Sequence, residues 1–315
     1  MGDLLKLLKS AADETRLRIL SVVESEPLSV GEILEILDMG QSRISRHLKI
    51  LADAGFLESN RAGNRVYYGL SAASRQEPFV HELLANLSAT AEDATYRGNG
   101  LAGGLIQDRR KLTGILELRK KETREHFQKY GRDHDRLQRA YVDADFYRKE
   151  IARELGKGAG VVVDLGCGTG ELSALISAQA RRIIGVDQSI KVLDLARKEC
   201  PSGDFRLGEL EHLPLKNEEA DAVVASMVLH HLPDPLTGLR EANRVLRKNG
   251  ALVVADLKQH EDEEAQKELA DFWPGFEKSR LETMIRDSGF EITEQRSGKG
   301  SGRLTCLIYR AKKTK

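Results

Sequence analysis

A glycine-rich run in the second half of the chain is the first place where residue types and spacing could do chemistry. The run Asp164-Leu165-Gly166-Cys167-Gly168-Thr169-Gly170 directly follows the apolar residues 161–163. Glycine lets the backbone pass close to a ligand and adopt torsion angles that a Cβ atom would hinder. The third glycine comes two positions after the second, unlike the G-x-G-x-x-G spacing of NAD-binding turns. The run therefore predicts a ligand-binding turn between a buried strand and a helix, and it argues against an NAD site.

An acidic residue ends the next apolar run and strengthens this prediction. Asp187 closes the segment Ile183-Ile184-Gly185-Val186-Asp187. A carboxylate at the end of a second strand can accept hydrogen bonds from both hydroxyl groups of a ribose. The glycine-rich turn and Asp187 together predict a cofactor that contains ribose.

Two histidines follow a later apolar run and are the candidates for proton transfer. His230 and His231 come after residues 221–225, near the carboxyl end of a predicted strand, where open α/β sheets bind ligands. Imidazole titrates near neutral pH, so either residue could act as a general base. The alternative is that each is a structural residue at the start of a helix.

A polar stripe near the N-terminus has the spacing of a helix that reads DNA. Ser42, Ser45, Arg46 and Lys49 recur at i, i+3, i+4 and i+7, opposite an apolar stripe on the same predicted helix. The apolar stripe can pack on a preceding helix while the polar stripe enters the major groove. An ordinary solvated helix face is the alternative interpretation.

A two-residue hairpin signal after this helix favours the DNA-reading interpretation. Gly63-Asn64 interrupts an alternating stretch over residues 57–70, which predicts a wing. Arg61 and Arg65 flank its tip, where long cationic side chains can reach the sugar-phosphate backbone. The residues expected to contact DNA are Gln41, Ser42, Arg43, Ser45, Arg46, His47, Lys49, Arg61 and Arg65.

Apolar periodicity gives the elements that must position these residues. Helical periodicity covers residues 4–24, 29–37, 41–54 and 78–91. Short Val/Ile runs at residues 161–165, 182–186, 221–225 and 251–257 predict a parallel βαβ sheet, and runs near 290–295 and 303–309 predict a terminal antiparallel hairpin. We expect a mainly helical winged domain over residues 1–97, a glycine-containing and then helical connector over 98–144, and an α/β Rossmann-like domain over 145–315.

Composition limits the possible functions. Lys and Arg number 49 and Asp and Glu also number 49, so DNA binding would need a local basic patch rather than a high net charge. Cys167, Cys200 and Cys306 lie far apart without a Cys-x-x-Cys spacing, which predicts neither a disulfide framework nor a zinc site. No apolar run approaches the ~18 residues of a membrane span. We expect a soluble cytoplasmic protein without a metal site.

Residues 11–70 resemble the ArsR family of bacterial regulators. The resemblance rests on Ala12-Asp13-Glu14-Thr15-Arg16-Leu17-Arg18-Ile19-Leu20, on Gln41-Ser42-Arg43-Ile44-Ser45-Arg46-His47-Leu48 and on Gly55-Phe56-Leu57. It implies a homodimer, paired through the first helix and the helix after the wing, that reads an inverted repeat in double-stranded DNA. The chain departs from metal-sensing members, because residues 29–37 contain no Cys-x-Cys pair and the helix over 78–91 offers only His81.

Residues from about 145 to 309 resemble class I S-adenosylmethionine (SAM)-dependent methyltransferases of the small-molecule kind. The resemblance rests on the glycine-rich run, on Gly185-Val186-Asp187-Gln188-Ser189, on Gly208-Glu209-Leu210-Glu211-His212 and on Val228-Leu229-His230-His231-Leu232. It implies that Asp164, Gly166, Cys167, Gly168 and Gly170 hold the methionine part, with Cys167 as a packing residue. It further implies that Asp187 binds the ribose, Gln188 a face of the adenine, and Glu209 with Leu210 the adenine edge.

Three functions remain to be weighed. The first is a DNA-binding transcriptional regulator whose second domain methylates a small molecule. The second is a regulator whose methyltransferase-like domain only senses SAM or S-adenosylhomocysteine (SAH), and the sequence leaves the choice between these two open. The third, an enzyme whose winged helix serves only dimerisation, is disfavoured by the polar stripe and the wing arginines. DNA methylation is disfavoured as well, because Ser226-Met227-Val228-Leu229 stands where amino-methylating enzymes carry Asp/Asn-Pro-Pro-Tyr.

Overall fold

The chain divides into two compact units, Met1–Lys120 and Lys121–Lys315. The computed structural model describes residues 2–24, 27–62, 65–92, 98, 100–232, 234–269 and 273–314. The division falls within the predicted connector. Among the described residues, no helix combines the length and the apolar character needed to cross a bilayer.

The first unit is a helical domain with a small three-stranded sheet. The predicted helix over residues 4–24 is interrupted, because Asp13 caps a new helix by accepting the Arg16 backbone N–H at 3.1 Å. The elements are α1 (Gly2–Ala11), α2 (Glu14–Val22), β1 (Leu28–Ser29), α3 (Val30–Leu37), α4 (Gln41–Ala54), β2 (Leu57–Ala62), β3 (Arg65–Leu70), α5 (Ala72–Gln76), α6 (Pro78–Glu92) and the beginning of α7 (Leu101–Tyr141).

Helices α3 and α4 form the predicted helix-turn-helix. Ser29 and Glu32 form a reciprocal capping box at the start of α3, and Asp38 takes a left-handed conformation with φ of 54° in the turn. Ile44, Leu48 and Leu51 of α4 are buried, as the apolar stripe predicts. Strands β2 and β3 pair as an antiparallel hairpin, which is the predicted wing, and β1 adds to β3 on the other side.

The glycine cluster before α7 is only partly outside the helix. Gly98 and Gly100 precede α7, whereas Gly103 and Gly104 lie in its first turn, where the Gly104 N–H donates to the Gly100 carbonyl at 3.0 Å. Leu105 and Leu112 of α7 are buried in the same apolar core as α2, α3 and α4. The first half of α7 is therefore part of the first unit.

The second unit is an α/β domain. Its elements after α7 are α8 (Ala144–Leu155), β4 (Ala159–Leu165), α9 (Glu171–Ile176), β5 (Ala180–Asp187), α10 (Ile190–Glu199), β6 (Asp204–Leu207), β7 (Ala220–Ser226), α11 (Pro235–Val245), β8 (Leu246–Leu257), α12 (Glu263–Leu269), α13 (Lys278–Asp287), β9 (Phe290–Gly298) and β10 (Cys306–Lys313), with short 3-10 helices at Ser177–Gln179 and Leu229–His231.

The seven strands form one mixed sheet in the order β6-β5-β4-β7-β8-β10-β9. Strands β6, β5, β4, β7 and β8 are parallel, and β10 runs antiparallel to both β8 and β9. The predicted Rossmann-like sheet and terminal hairpin are confirmed, while the four-residue strand β6 was not predicted. The strand order reverses at β4 and β7, the point where open α/β sheets bind ligands beyond the carboxyl ends of their strands.

Candidate cofactor site and DNA-binding face

The glycine-rich turn connects β4 to α9 with a backbone that only glycine adopts readily. Gly166, Gly168 and Gly170 have φ values of 62°, 53° and 88°. At Gly170 a Cβ atom would also lie 2.8 Å from the Cα of Ala196, so glycine lets the turn pack directly on α10. The turn therefore places its backbone at the carboxyl end of β4.

Asp187 lies beside this turn at the end of β5. Its Oδ2 accepts a hydrogen bond from the Gly168 backbone N–H at 3.2 Å, and its Oδ1 accepts one from the Ser189 N–H at 2.9 Å. The carboxylate is half-buried. Asp187 thus holds the glycine-rich turn in place and stands where the sequence places a ribose-binding acid.

Asp164 is the buried acid of the site. Its side chain is 1% exposed, and its Oδ2 accepts a hydrogen bond from the Ser173 hydroxyl at 2.6 Å. Burial raises the pKa of Asp164 to about 6, although the Ser173 hydroxyl and the charge of Arg148 act in the opposite direction. The protonation state of Asp164 therefore changes just below neutral pH.

An open groove of about 670 Å³ continues from Asp187 along the ends of β5 and β6. Two large apolar side chains at this groove are exposed to solvent, Ile190 by 59% and Leu207 by 52%. Apolar surface of this kind suits a flat aromatic ring such as adenine. The lining residues include two predicted adenine contacts and are Gln188, Ser189, Ile190, Lys191, Leu207, Gly208 and Glu209.

Leu210 and Cys167, two further predicted cofactor contacts, have buried side chains. Leu210 is 7% exposed and follows the groove residue Glu209. Cys167 is also 7% exposed, and burial raises the pKa of its thiol well above the usual range. A buried thiol that stays protonated is a poor nucleophile, which fits a packing role.

His230 is held in the core next to the ends of β7 and β8. It is fully buried, and its Nδ1 lies 2.6 Å from Oδ1 of the equally buried Asp256. The other Asp256 oxygen accepts the Leu229 N–H at 2.9 Å, so Asp256 ties β8 to the loop that follows β7. The sequence pattern does not reveal this contact, because it depends on the register of the neighbouring strands β7 and β8.

His231 packs against His230 with its ring centroid 4.0 Å away, and it is 7% exposed. Trp273 covers this region, since its backbone N–H donates to the His230 carbonyl at 3.0 Å and its indole N–H to the Leu232 carbonyl at 2.9 Å. Trp273 and Phe276 are both buried core residues. Burial lowers the pKa of the neighbouring His260.

The polar stripe of α4 faces solvent in the first unit. Arg43 also donates from Nη2 to the Thr15 hydroxyl of α2 at 3.2 Å. His47 differs from the other predicted DNA contacts of α4, because its side chain is only 12% exposed and its Nδ1 lies 3.6 Å from Asp13. Burial lowers the pKa of His47. The exposed members of the stripe are Gln41, Ser42, Arg43, Ser45, Arg46 and Lys49.

The wing arginines stand on the hairpin, but their side chains lie outside the described part of the structure. Arg61 pairs in register with Val66, and Arg65 with Ala62, so both flank the tip. Gly63 and Asn64 of the tip lie outside the described residues as well. Within the described ranges, His, Cys, Asp and Glu side chains form no group of three or more that could hold a metal ion.

These observations define a class of protein: a winged helix-turn-helix followed by a Rossmann-like domain with a nucleotide-type cofactor site. Comparison with known families makes the class specific. Residues 13–59 match the model of the arsR family of bacterial regulatory proteins. Residues 163–254 match the model of a methyltransferase domain. The chain therefore joins an ArsR-family helix-turn-helix to a methyltransferase domain.

Individual relatives match the second domain. The chain is 29% identical over 143 residues to a demethylmenaquinone methyltransferase from Thermotoga maritima, covering 44% of this chain and 62% of that protein. It is 33% identical over 97 residues to a malonyl-[acyl-carrier protein] O-methyltransferase from Yersinia pestis, covering 31% of this chain and 36% of that protein. The chain thus spans less than two thirds of the length of the curated relatives it matches.

A solved structure shows the same fold. It is the 1,6-didemethyltoxoflavin-N1-methyltransferase of Burkholderia thailandensis with bound 1,6-didemethyltoxoflavin and SAH. Its TM-score is 0.51 at 21% sequence identity, and the match covers 61% of this chain and 87% of that one. The second unit therefore has the fold of SAM-dependent methyltransferases.

Proposed function

We propose that the chain is a homodimeric transcriptional regulator of the bacterial cytoplasm that binds an operator in double-stranded DNA and methylates a small molecule with SAM. The observation that carries the proposal is the pairing of the glycine-rich turn with Asp187 at the end of β5, on the same chain as an exposed, cationic helix face. The first feature suits SAM, and the second suits a major groove.

Each cofactor contact follows from where the residue lies. Asp164 and the backbone of Gly166, Cys167, Gly168 and Gly170 would hold the methionine part, and Asp187 the ribose hydroxyls. Gln188, Glu209 and Leu210 would border the adenine, with Ile190 and Leu207 covering its apolar faces. When bound, SAM supplies a methyl group on a positively charged sulfur, which an acceptor nucleophile can displace in line.

The chain's own contribution to transfer is mainly positioning. The acceptor would lie beyond the carboxyl ends of β7 and β8, next to the loop that Asp256 holds. His230 and His231 remain the candidate bases, with the buried His230 suited to orient the loop. A small-molecule acceptor is supported by the names of two relatives, which act on demethylmenaquinone and on didemethyltoxoflavin.

Calorimetric titration of the full-length protein with SAM and SAH tests the cofactor site, with Asp187→Ala as the matched site variant. A duplex selected by the protein from a random-sequence library tests the DNA-binding face, and titrations with and without this duplex test coupling of the two sites. Transfer of a radioactive methyl group from SAM to small metabolites, rather than to DNA or protein, is the expected outcome. Absence of SAM and SAH binding, or methylation of DNA alone, would contradict the proposal.

A further inference from the structure

Helix α3 is short, yet its two ends are held by side chains that do not belong to the helix-turn-helix. At its start, Glu32 accepts hydrogen bonds from the Ser29 N–H at 2.8 Å and the Ser29 hydroxyl at 2.6 Å. The same carboxylate accepts a hydrogen bond from Nε of Arg119 in α7 at 2.6 Å. Burial acts to raise the pKa of Glu32, but the bonds from Arg119 and Ser29 outweigh it and the pKa is lowered. The capping carboxylate thus stays ionised because α7 supplies its counter-charge.

The other end of α3 is tied to α7 through α2. Asp108 of α7 is 1% exposed and receives two hydrogen bonds from Arg18 of α2, from Nε and from Nη2, each at 2.7 Å. The same Nη2 reaches the carbonyl of Leu37, the last residue of α3, at 3.3 Å. Lys111 of α7 donates to the Glu35 carbonyl at 3.2 Å. Two carbonyls near the end of α3 therefore find partners in this network.

Apolar packing holds the same stretch of α7 in place. Leu105 is 1% exposed and Leu112 is 2% exposed, both within the core cluster that contains α3 and α4. The Arg119 guanidinium also lies 6.0 Å from the centroid of the Tyr67 ring in the wing strand β3. Residues 105–119 therefore contact α2, α3 and β3, and of these α2 and α3 pack directly against α4.

We propose that residues 105–119 of α7 position the DNA-reading elements. The pair of Arg119 with Glu32 and the pair of Asp108 with Arg18 fix α3. They thereby set the orientation in which α4 meets DNA. This inference rests on the proposed DNA-binding function. Its physical reason is that α3 packs against α4, and that Ile33, Ile36 and Leu37 lie in the same apolar core as Ile44 and Leu48 of α4, so a shift of α3 moves the base-reading stripe. Glu32 is 17% exposed, and a largely buried carboxylate that loses its cation destabilises the fold by more than the pair contributes, so the Glu32–Arg119 pair holds α3 and α7 together.

A different role for α7 would give a different pattern of DNA binding. If Arg119 only touched a phosphate, its loss would weaken every duplex equally and lower the salt slope by about one. If α7 only covered apolar surface, losing the ion pair would leave DNA affinity unchanged. If α7 positions α4, loss of the ion pair weakens binding of the selected duplex and leaves binding of a scrambled duplex nearly unchanged.

The test measures the affinity of full-length Arg119→Gln for a duplex selected from a random library by the wild-type protein and for a scrambled duplex of equal length. We expect at least tenfold weaker binding of the selected duplex, little change for the scrambled duplex and an unchanged salt slope. Arg119→Lys should recover part of the loss. Arg110→Gln is the matched control, because Arg110 is an exposed arginine of the same helix, and this variant should retain wild-type selectivity.

Wild-type selectivity in Arg119→Gln would overturn the inference, as would equal weakening of both duplexes. If Arg119→Gln lost its helical circular dichroism, Lys111→Met would take its place, since Lys111 is exposed and contacts only the end of α3 among its described bonds. Lys111→Met should reduce selectivity severalfold, and unchanged selectivity would then overturn the inference. Failure of the wild-type protein to select any duplex would instead contradict the proposed DNA binding.

Discussion

Replacing Asp164 with asparagine removes a buried charge from the methyltransferase domain, and the effect on stability can be worked out from the structure. Burial raises the pKa of Asp164 from an ordinary 3.8 to about 6. Between these values the folded protein keeps a proton that the unfolded chain has released, so the free energy of unfolding falls as pH rises from about 4 to 6. At ~1.4 kcal/mol per pH unit, ionised Asp164 destabilises the fold by about 3 kcal/mol at pH 7. Asparagine avoids this charge and can still accept the Ser173 hydroxyl.

Denaturant unfolding of the full-length protein between pH 5 and 8 measures this effect. Trp273 is the single tryptophan of the chain and is fully buried in the second unit. Its fluorescence therefore reports unfolding of the unit that contains Asp164. We expect the free energy of unfolding of Asp164→Asn to exceed that of the wild type by about 1 to 3 kcal/mol at pH 7.5. This difference should be smaller at pH 5. Asp287→Asn is the control, because Asp287 is exposed at the end of α13. Its free energy of unfolding should not differ from that of the wild type in the same pH-dependent way. A destabilised Asp164→Asn whose difference from the wild type does not change with pH would refute the reasoning.

Four further substitutions test other parts of the molecule. Asp187→Ala should weaken SAM binding by about 1.5 to 3 kcal/mol, roughly ten- to more than hundredfold, because ribose hydroxyls lose their acceptor; calorimetry showing unchanged affinity would contradict the site. Arg46→Ala should weaken DNA binding and relax base preference, whereas Arg65→Ala should weaken all duplexes and lower the salt slope by about one; identical wild-type behaviour of both would argue against the winged-helix function. Hydrogen bonds from Ser301 and Phe146 lower the pKa of Asp143 to about 2, so its stabilising effect is present above about pH 4 and is lost as pH falls toward 2. Asp143→Asn should therefore be less stable at neutral pH and approach the wild type in acid unfolding, and a constant difference down to pH 2 would refute this.

Features written in short stretches of sequence were predicted well. The strand, glycine-rich turn and helix around Gly168 form one local unit, and Asp187 ends the next strand. Residue types and their spacing were therefore sufficient to predict these elements. The capping box at the start of α3 is equally local, because it depends only on the Ser29-x-x-Glu32 spacing. Strand β6 was missed because it has four residues, of which only Phe205 is buried, which is too little periodicity to recognise.

The break between α1 and α2 was missed for a different reason. Apolar residues keep a helical period across residues 4–24, and only the capping aspartate Asp13 signals the interruption. Asp13 also lies beside His47, with its Oδ1 3.6 Å from the His47 Nδ1, and His47 is largely buried while the rest of the α4 stripe is exposed. The pattern of one helix could not reveal what a neighbouring helix covers.

Contacts between distant parts of the chain could not be predicted at all. Arg119 and Glu32 are 87 residues apart, and Asp108 and Arg18 are 90 residues apart. The sequence predicted a helical connector within residues 98–144, but charged residues on a helix give the same pattern whether they face solvent or form ion pairs. The apolar face of α7 that turns toward the core with α3 includes Leu105, Leu112 and the partly buried Leu116, and this packing appears only in the folded chain.

The hydrogen bond from Gly168 to Asp187 also bears on how quickly the cofactor site can respond. Because the hydrogen bonds from Gly168 and Ser189 to Asp187 lie within the protein, they can hold the turn in shape without a contact from a ligand. Binding to a preformed surface needs little backbone movement, and related ligands then differ mainly in how fast they leave. SAM and SAH should therefore enter at similar rates and differ in residence time. The time for which one of them remains bound would limit how fast the domain can follow a change in the cell's methyl-donor supply.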